Sequence, residues 1–134
     1  MDSDKTNDHG ALGEDVAGRY LMSAGYKIRQ RNFHSRHGEI DIIAADDKLL
    51  IFAEVKARSV GMLGQPCEAV SRTKQRKIIK TAQWYLLNCK IDRELQPRFD
   101  VIEVYINHSG KHKINHIKNA FGMEAARESF RFAL

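Results

Sequence analysis

The sequence predicts a mixed α/β domain in which helices cover a central sheet, and three observations lead to this fold class. The 134-residue length suggests a single domain. The helical and extended patterns follow the order α-β-β-β-α-β, which implies a mixed sheet with helices on its faces. One extended segment is apolar at nearly every position, as in a strand covered on both faces. We therefore expect one domain over residues 11–134, preceded by a flexible polar tail over residues 1–10.

The first helix is predicted over residues 11–24. Its apolar residues recur at helical spacing and are Leu12, Val16, Tyr20 and Ala24. Gly25 follows as the expected C-cap. Gly13 and Ala17 are small enough to let this helix approach a neighbouring element closely.

Three strands are expected next, over residues 26–33, 39–45 and 49–57. The third is the apolar segment, so it should be central in the sheet. The polar residues Asp46, Asp47 and Lys48 form a short turn, which makes the second and third strands a hairpin.

The second half of the chain begins with an expected loop over residues 58–65, which contains Gly61 and Gly64. A long helix follows from residue 66 or 67 to residue 89, with an apolar stripe of Ile78, Ala82, Tyr85, Leu86 and Cys89. A strand over 98–106, a short edge strand over 113–117 and a short helix over 123–132 complete the expected elements.

Composition and charge narrow the classes of function. The net charge of +5 favours polyanions, with nucleic acid before an acidic membrane. Cys67 and Cys89 form no CxxC pair, so we expect neither a zinc site nor a disulfide, and a cytoplasmic location. No apolar run approaches the length of a membrane span, and the polar N-terminus does not resemble a signal peptide.

Acidic residues inside apolar strands are the strongest chemical signal. Asp41, Glu54 and Lys56 lie in the segments that should form the sheet centre, where an unpaired charge is costly. Alternation along a strand puts Glu54 and Lys56 on one face. A symmetric turn after Asp46 would place Asp41 opposite Glu54, with Cβ atoms roughly 5 Å apart.

Two facing carboxylates require a cation, and oxygen ligands favour Mg²⁺ or Mn²⁺ over zinc. Lys56 could then orient a water molecule or stabilise developing negative charge. The alternative on spacing alone is a buried salt-bridge cluster without metal.

The same residues resemble the D…(D/E)xK signature, also written PD-(D/E)xK, of the restriction-endonuclease-like superfamily. A longer series resembles the uncharacterised bacterial YraN family over about residues 11 to 121. That series consists of Leu12-Gly13-Glu14, Gly25-Tyr26, Arg31-Asn32-Phe33, Gly38-Glu39-Ile40-Asp41, Glu54-Val55-Lys56-Ala57-Arg58, Phe99-Asp100-Val101 and Asn119-Ala120-Phe121. Ala53 departs from the family's usual valine, which alters packing and not chemistry.

The resemblance implies a restriction-endonuclease-like core and a metal-dependent nuclease acting on DNA. The pattern is also similar to archaeal Holliday-junction resolvases, which carry an acidic residue on the first helix, here Glu14, and act as dimers. Asp41, Glu54 and the Val55 carbonyl would then hold Mg²⁺, and Lys56 would position the attacking water. Glu14 has an alternative interpretation as an acid that stabilises the helix N-terminus. No dimer interface can be read from the sequence.

Other polar residues support nucleic-acid binding or the fold. Lys74 borders the apolar stripe of its helix, so it could reach the site or a phosphate, or simply extend its ammonium into water. The expected phosphate contacts are Arg29, Arg31, Arg36, Arg58, Arg72 and Lys74. Glu39 could bind the metal through water or pair with an arginine, and we favour the arginine pair. Asp100 is expected to be structural.

Three functions remain open from the sequence. The first is a metal-dependent nuclease for branched or single-stranded DNA. The second is a non-catalytic nucleic-acid-binding module, and the third is a partner-binding adaptor with a structural charge cluster. The complete set of Asp41, Glu54 and Lys56 favours the first.

Overall fold

The computed structural model describes residues 2–59, 70–91 and 94–123, and it contains one five-stranded sheet with a helix on each face. The elements are α1 (Asp2–Ser23), β1 (Lys27–Ser35), β2 (Gly38–Ala45), β3 (Leu49–Ser59), α2 (Arg72–Asn88), β4 (Gln96–Ile106) and β5 (His112–Phe121). Neighbouring strands follow chain order, and all pairs are antiparallel except β3 with β4. The predicted mixed α/β sheet is confirmed, with β3 at its centre.

The helix α1 covers one face of the sheet. Val16, Ala17 and Leu21 are buried, whereas Leu12 is 41% exposed. The buried stripe is thus rotated from the predicted one, because the small residues of α1 lie closest to the sheet. A Cβ atom on Gly13 would lie 3.0 Å from the Cβ of Ala57, so glycine permits this close contact with β3.

The opposite face of the sheet is covered by α2. Ile78, Ala82 and Tyr85 of the predicted stripe are buried, and Leu86 and Cys89 pack at the border of the same core. Their sheet partners include Ile43, Leu50, Phe52 and Phe99. With one core under α1 and another under α2, the centres of the strands are buried on both faces of the sheet.

Several predicted boundaries differ from the observed ones. The predicted tail over residues 2–10 instead continues α1, because extending a helix already packed on a sheet costs little compared with nucleating one. The second helix begins at Arg72, later than expected, since the extended residue Ser71 is its N-cap and accepts a hydrogen bond from the Lys74 N–H. Arg58 and Ser59 belong to β3, and β5 exceeds the predicted edge strand.

The remaining expectations fall on parts of the chain that the structure does not describe. Residues 60–65 of the expected loop, residues 66–69 and most of the predicted final helix over 123–132 lie outside the described residues. Within the described ranges, no helix is long and apolar enough to cross a membrane.

Candidate metal centre

The register of the β2–β3 hairpin determines which side chains meet at the site. Ile42 pairs with Ala53, and the same register continues through Ala45 and Leu50. The predicted register is therefore confirmed. It brings Asp41, one residue before the first of these pairs, beside Glu54.

At Asp41, beyond the last backbone pair, a side-chain hydrogen bond joins β2 to β3. One carboxylate oxygen, Oδ2, accepts a hydrogen bond of 2.8 Å from the Val55 N–H. The two carboxyl groups of Asp41 and Glu54 are also close enough to hydrogen-bond each other. The carboxylate of Asp41 is thus held in place on β3, next to Glu54.

The positive charge beside Glu54 is a lysine of α2. Its side chain is only 7% exposed and forms a direct ion pair with Lys74, whose side chain is 49% exposed. Lys74 is placed there by the first turn of α2, where the Ser71 hydroxyl accepts from its N–H at 3.2 Å. The Gln75 amide donates to the Val70 carbonyl at 2.8 Å and fixes the same turn.

Gly38 lets the β1–β2 turn approach α2. Its φ angle is +152°, and a Cβ atom there would lie 3.3 Å from the Thr81 hydroxyl and 3.4 Å from the Lys77 Cβ. A larger residue would push these elements apart. This close packing at the start of β2 keeps Asp41 and the first turn of α2 at one end of the sheet.

Burial and neighbouring negative charges disfavour ionisation of both carboxyl groups. Burial raises the pKa of Asp41, and the negative charge of Glu14 adds to the rise, although the Val55 N–H opposes it. Burial also raises the pKa of Glu54, with the Asp41 charge second, while Lys74 opposes the rise. Burial of Lys74 disfavours its charge, but Glu54 and Asp41 outweigh this and raise the pKa of Lys74. The pair of carboxylates therefore requires a neighbouring positive charge.

The donor atoms of this cluster suit a hard cation. Asp41, Glu54 and the backbone carbonyl of Val55 would present only oxygen ligands, which is the set that Mg²⁺ and Mn²⁺ prefer. The described residues contain no group of three or more His, Cys, Asp or Glu side chains arranged to hold a metal. A cation here would therefore complete its coordination with water molecules, as Mg²⁺ commonly does.

Lys56 and Glu14 flank the carboxylates in different ways. Lys56 follows Glu54 by two residues on β3, is half-buried, and makes no ion pair among the described residues. Alternation puts it on the face of Glu54. Glu14 is half-buried on α1, and its charge acts on Asp41. The cluster thus combines two adjacent carboxylates, a third acid and two lysines.

Comparison with known proteins assigns the family. Residues 13–104 match the model of "Uncharacterised protein family UPF0102". The chain belongs to the UPF0102 family. A UPF0102 protein of Caldanaerobacter subterraneus subsp. tengcongensis is 46% identical over 114 residues, which cover 84% of this chain and 93% of the relative. One from Persephonella marina is 47% identical over 115 residues, covering 86% and 94%. The expected YraN-like family is confirmed.

The arginines predicted to contact phosphate are spread over this UPF0102 fold. Arg31 pairs with Asp15 at 2.8 Å, and Arg29 donates to the Lys90 carbonyl at 3.2 Å. Arg36 is exposed in the β1–β2 turn, and Arg72 is exposed at the first residue of α2. Of the six predicted phosphate-binding residues, Lys74 is the one with a contact to Asp41 or Glu54 among the interactions described above.

Arg58 has a different environment from the one expected. It is 12% exposed and its Nε donates to Glu103 Oε2 at 2.9 Å. Asn115 Nδ2 also donates to Glu103, at 2.8 Å. The two contacts of Glu103, with Arg58 and with Asn115, link β3, β4 and β5. Glu39 also differs from expectation, because its partner is His34, at 3.4 Å, and not an arginine.

Sequence reasoning missed a buried network on the face of the sheet that α1 covers. Asp100, fully buried, accepts two hydrogen bonds of 2.8 Å from Arg98 and lies 2.7 Å from His116 Nε2. His116 Nδ1 is 2.8 Å from the hydroxyl of Tyr20 on α1. The sequence feature that could have indicated this network is Asp100 itself, because the other residues from Phe99 to Ile102 are apolar. The network confirms a structural role for Asp100, since it joins β4, β5 and α1.

Proposed function

We propose that this UPF0102 chain is a metal-dependent nuclease that hydrolyses phosphodiester bonds in nucleic acid, with DNA as the expected substrate. One observation carries the proposal, namely the side-by-side placement of Asp41 and Glu54 on β2 and β3. Two carboxylates whose pKa values are both raised form an unfavourable pair without a cation. Such a pair is a candidate functional site because burial and repulsion make it costly for stability alone.

The fold supports the same proposal. The order α1-β1-β2-β3-α2-β4, with β3 and β4 parallel, agrees with the restriction-endonuclease-like core implied by the D…ExK resemblance. Asp41 and Glu54-Val55-Lys56, which resemble the D…ExK signature, lie on the neighbouring strands β2 and β3 of this core. We therefore propose that the chain belongs to this superfamily.

Each residue of the cluster has a proposed role. Asp41, Glu54 and the Val55 carbonyl hold Mg²⁺ or Mn²⁺. A divalent ion bound there would polarise a phosphate oxygen and lower the pKa of a bound water molecule. Lys56 orients the attacking water and stabilises negative charge that develops on the phosphate. Glu14 adds negative charge at the border of the site, and the exposed side chains of Arg36 and Arg72 contact flanking phosphates.

A panel of end-labelled substrates tests the proposal. Single-stranded, duplex and four-way-junction DNA and the matching RNAs would be incubated with Mg²⁺, Mn²⁺ or EDTA. We expect cleavage of at least one DNA with either metal and none in EDTA. Asp41→Asn should abolish cleavage, whereas Asp47→Asn, the same change in the exposed turn, should not.

The panel also separates the alternatives. If the protein binds DNA but cuts no substrate with either metal, the non-catalytic nucleic-acid-binding module replaces the nuclease. If it neither binds nucleic acid nor cuts it, the charge cluster is structural and the adaptor function remains.

A further inference from the structure

Lys74 lies where the two carboxylates of the site require a positive charge. Its ammonium contacts Glu54 directly, and its charge also acts on Asp41. It is the cation in contact with Glu54 among the described ion pairs. Without Lys74, the buried carboxylate of Glu54 would face Asp41 with no cation in direct contact among the described ion pairs, which is a costly arrangement.

We propose that Lys74 is an internal counter-ion that holds the metal position and leaves it when a divalent cation binds. This inference rests on the metal site of the proposed function, although not on cleavage. The ammonium of Lys74 contacts Oε1 of Glu54, so a metal ion that binds through this oxygen would displace the lysine outward. Lys74 thus stabilises the metal-free protein and lowers its apparent affinity for metal.

The surroundings of Lys74 allow this movement. Its backbone is fixed in the first turn of α2, but its side chain is half-exposed and reaches Glu54 from the solvent side. A lysine side chain has four flexible bonds, so the ammonium can swing without moving the helix. Only the contact with Glu54 has to break.

An open groove of about 320 Å³ provides a place for the displaced ammonium. It runs between the start of β2 and the first turns of α2, and its lining residues are Gly38, Glu39, Ser71, Thr73, Lys74, Lys77 and Ile78. Lys77 and the hydroxyl groups of Ser71 and Thr73 can contact a phosphate group there, although the carboxylate of Glu39 also lines the groove. Metal binding would therefore release Lys74 to bind the phosphate backbone of the substrate next to the metal.

Calorimetric titration with Mn²⁺ tests the displacement without any activity readout. Lys74→Met should bind Mn²⁺ at least about tenfold more tightly than the unmodified protein, because one charged hydrogen bond no longer competes. Lys80→Met, which removes an exposed lysine from the same helix, should leave the affinity unchanged. In thermal unfolding, Lys74→Met should be less stable than the unmodified protein in EDTA and should gain more stability from Mn²⁺.

If Lys74→Met does not fold, Lys74→Gln replaces it in the titration. The glutamine amide can still donate to Glu54 but carries no charge. Equal Mn²⁺ affinity in the unmodified protein and the folded Lys74 variant would overturn the inference, and the nuclease would stand if cleavage persists. Tighter binding in the variant without cleavage by any form would support the inference and remove the nuclease. Absence of Mn²⁺ binding in every form would overturn both.

Discussion

The carboxylate of Asp41, which lies one residue before the first β2–β3 pair, accepts a hydrogen bond of 2.8 Å from the backbone N–H of Val55. This bond ties the acid to the strand that carries Glu54 and Lys56. A side chain thereby satisfies an N–H that lies beyond the paired positions of the hairpin, and the same bond fixes a ligand of the candidate metal centre. The structural and proposed functional roles of Asp41 can be separated by substitution.

Asp41→Asn should preserve the fold and abolish Mn²⁺ binding. The asparagine carbonyl can still accept from Val55, but the charge that holds the metal is gone. Calorimetry and thermal unfolding in EDTA measure the two effects, and Asp47→Asn in the exposed turn is the matched control. Retention of full Mn²⁺ affinity by Asp41→Asn would place the metal elsewhere.

Lys56→Ala should reduce single-turnover cleavage by about 10²-fold or more, as for loss of one electrostatic stabiliser of the transition state. Mn²⁺ affinity should be unchanged or higher, since a neighbouring cation is removed. Lys48→Ala, an exposed lysine at the hairpin turn, should have no effect on either measurement. Unchanged cleavage by Lys56→Ala would remove this residue from the mechanism.

Loss of Arg58 should lower stability, whereas loss of Arg36 should weaken DNA binding. Arg58→Gln removes the guanidinium that pairs with the buried carboxylate of Glu103, so the free energy of unfolding should fall by on the order of 3 kcal/mol. Arg36→Gln should leave stability unchanged and weaken DNA binding, with the salt dependence of log K less steep by about one. Urea unfolding and fluorescence anisotropy at several salt concentrations measure these effects. A stable Arg58→Gln variant with weakened DNA binding would restore Arg58 as a phosphate contact.

Asp100 should contribute to acid sensitivity. Burial alone would raise its pKa, but His116, Arg98 and the Asn119 N–H lower it from 3.8 to about 2. Because the folded pKa is below the unfolded one, the stabilisation is fully present above pH 3.8 and is lost as the pH falls towards 2. This lowering of the Asp100 pKa corresponds to about 2 kcal/mol of stabilisation. Urea unfolding between pH 6 and pH 2.5 should show this loss, and Asp100→Asn should flatten that part of the profile.

Gly13→Ala and Gly18→Ala should have opposite effects on stability. Both would gain up to about 1 kcal/mol of helix propensity. At Gly13 the new methyl group would meet the Cβ of Ala57 at 3.0 Å, and such overpacking costs about 1–3 kcal/mol. At Gly18 no atom lies within 4 Å of the new group. Thermal unfolding should show a lower midpoint for Gly13→Ala and a higher one for Gly18→Ala, and equal shifts would contradict the close packing of α1 on β3.

The sequence by itself determined the strands, the central position of β3 and the hairpin register that brings Asp41 beside Glu54. These features depend on residues close in the chain, where alternation and turn length leave few arrangements. Membership of the UPF0102 family also followed from the series of short motifs. The first residue of α2 could not be predicted, because its N-cap at Ser71 is set by local hydrogen bonds that the apolar pattern does not indicate.

Only the tertiary structure decided which charges meet. Lys74 reaches Glu54 because α2 packs on the sheet with its first turn near the start of β2, and the sequence left that contact open. Arg58 pairs with Glu103, and Asp100 with His116, across strands that are far apart in sequence. The physical reason is that a charge gains its partner from the packing of whole elements, whereas periodicity along the chain specifies only the face on which the charge lies.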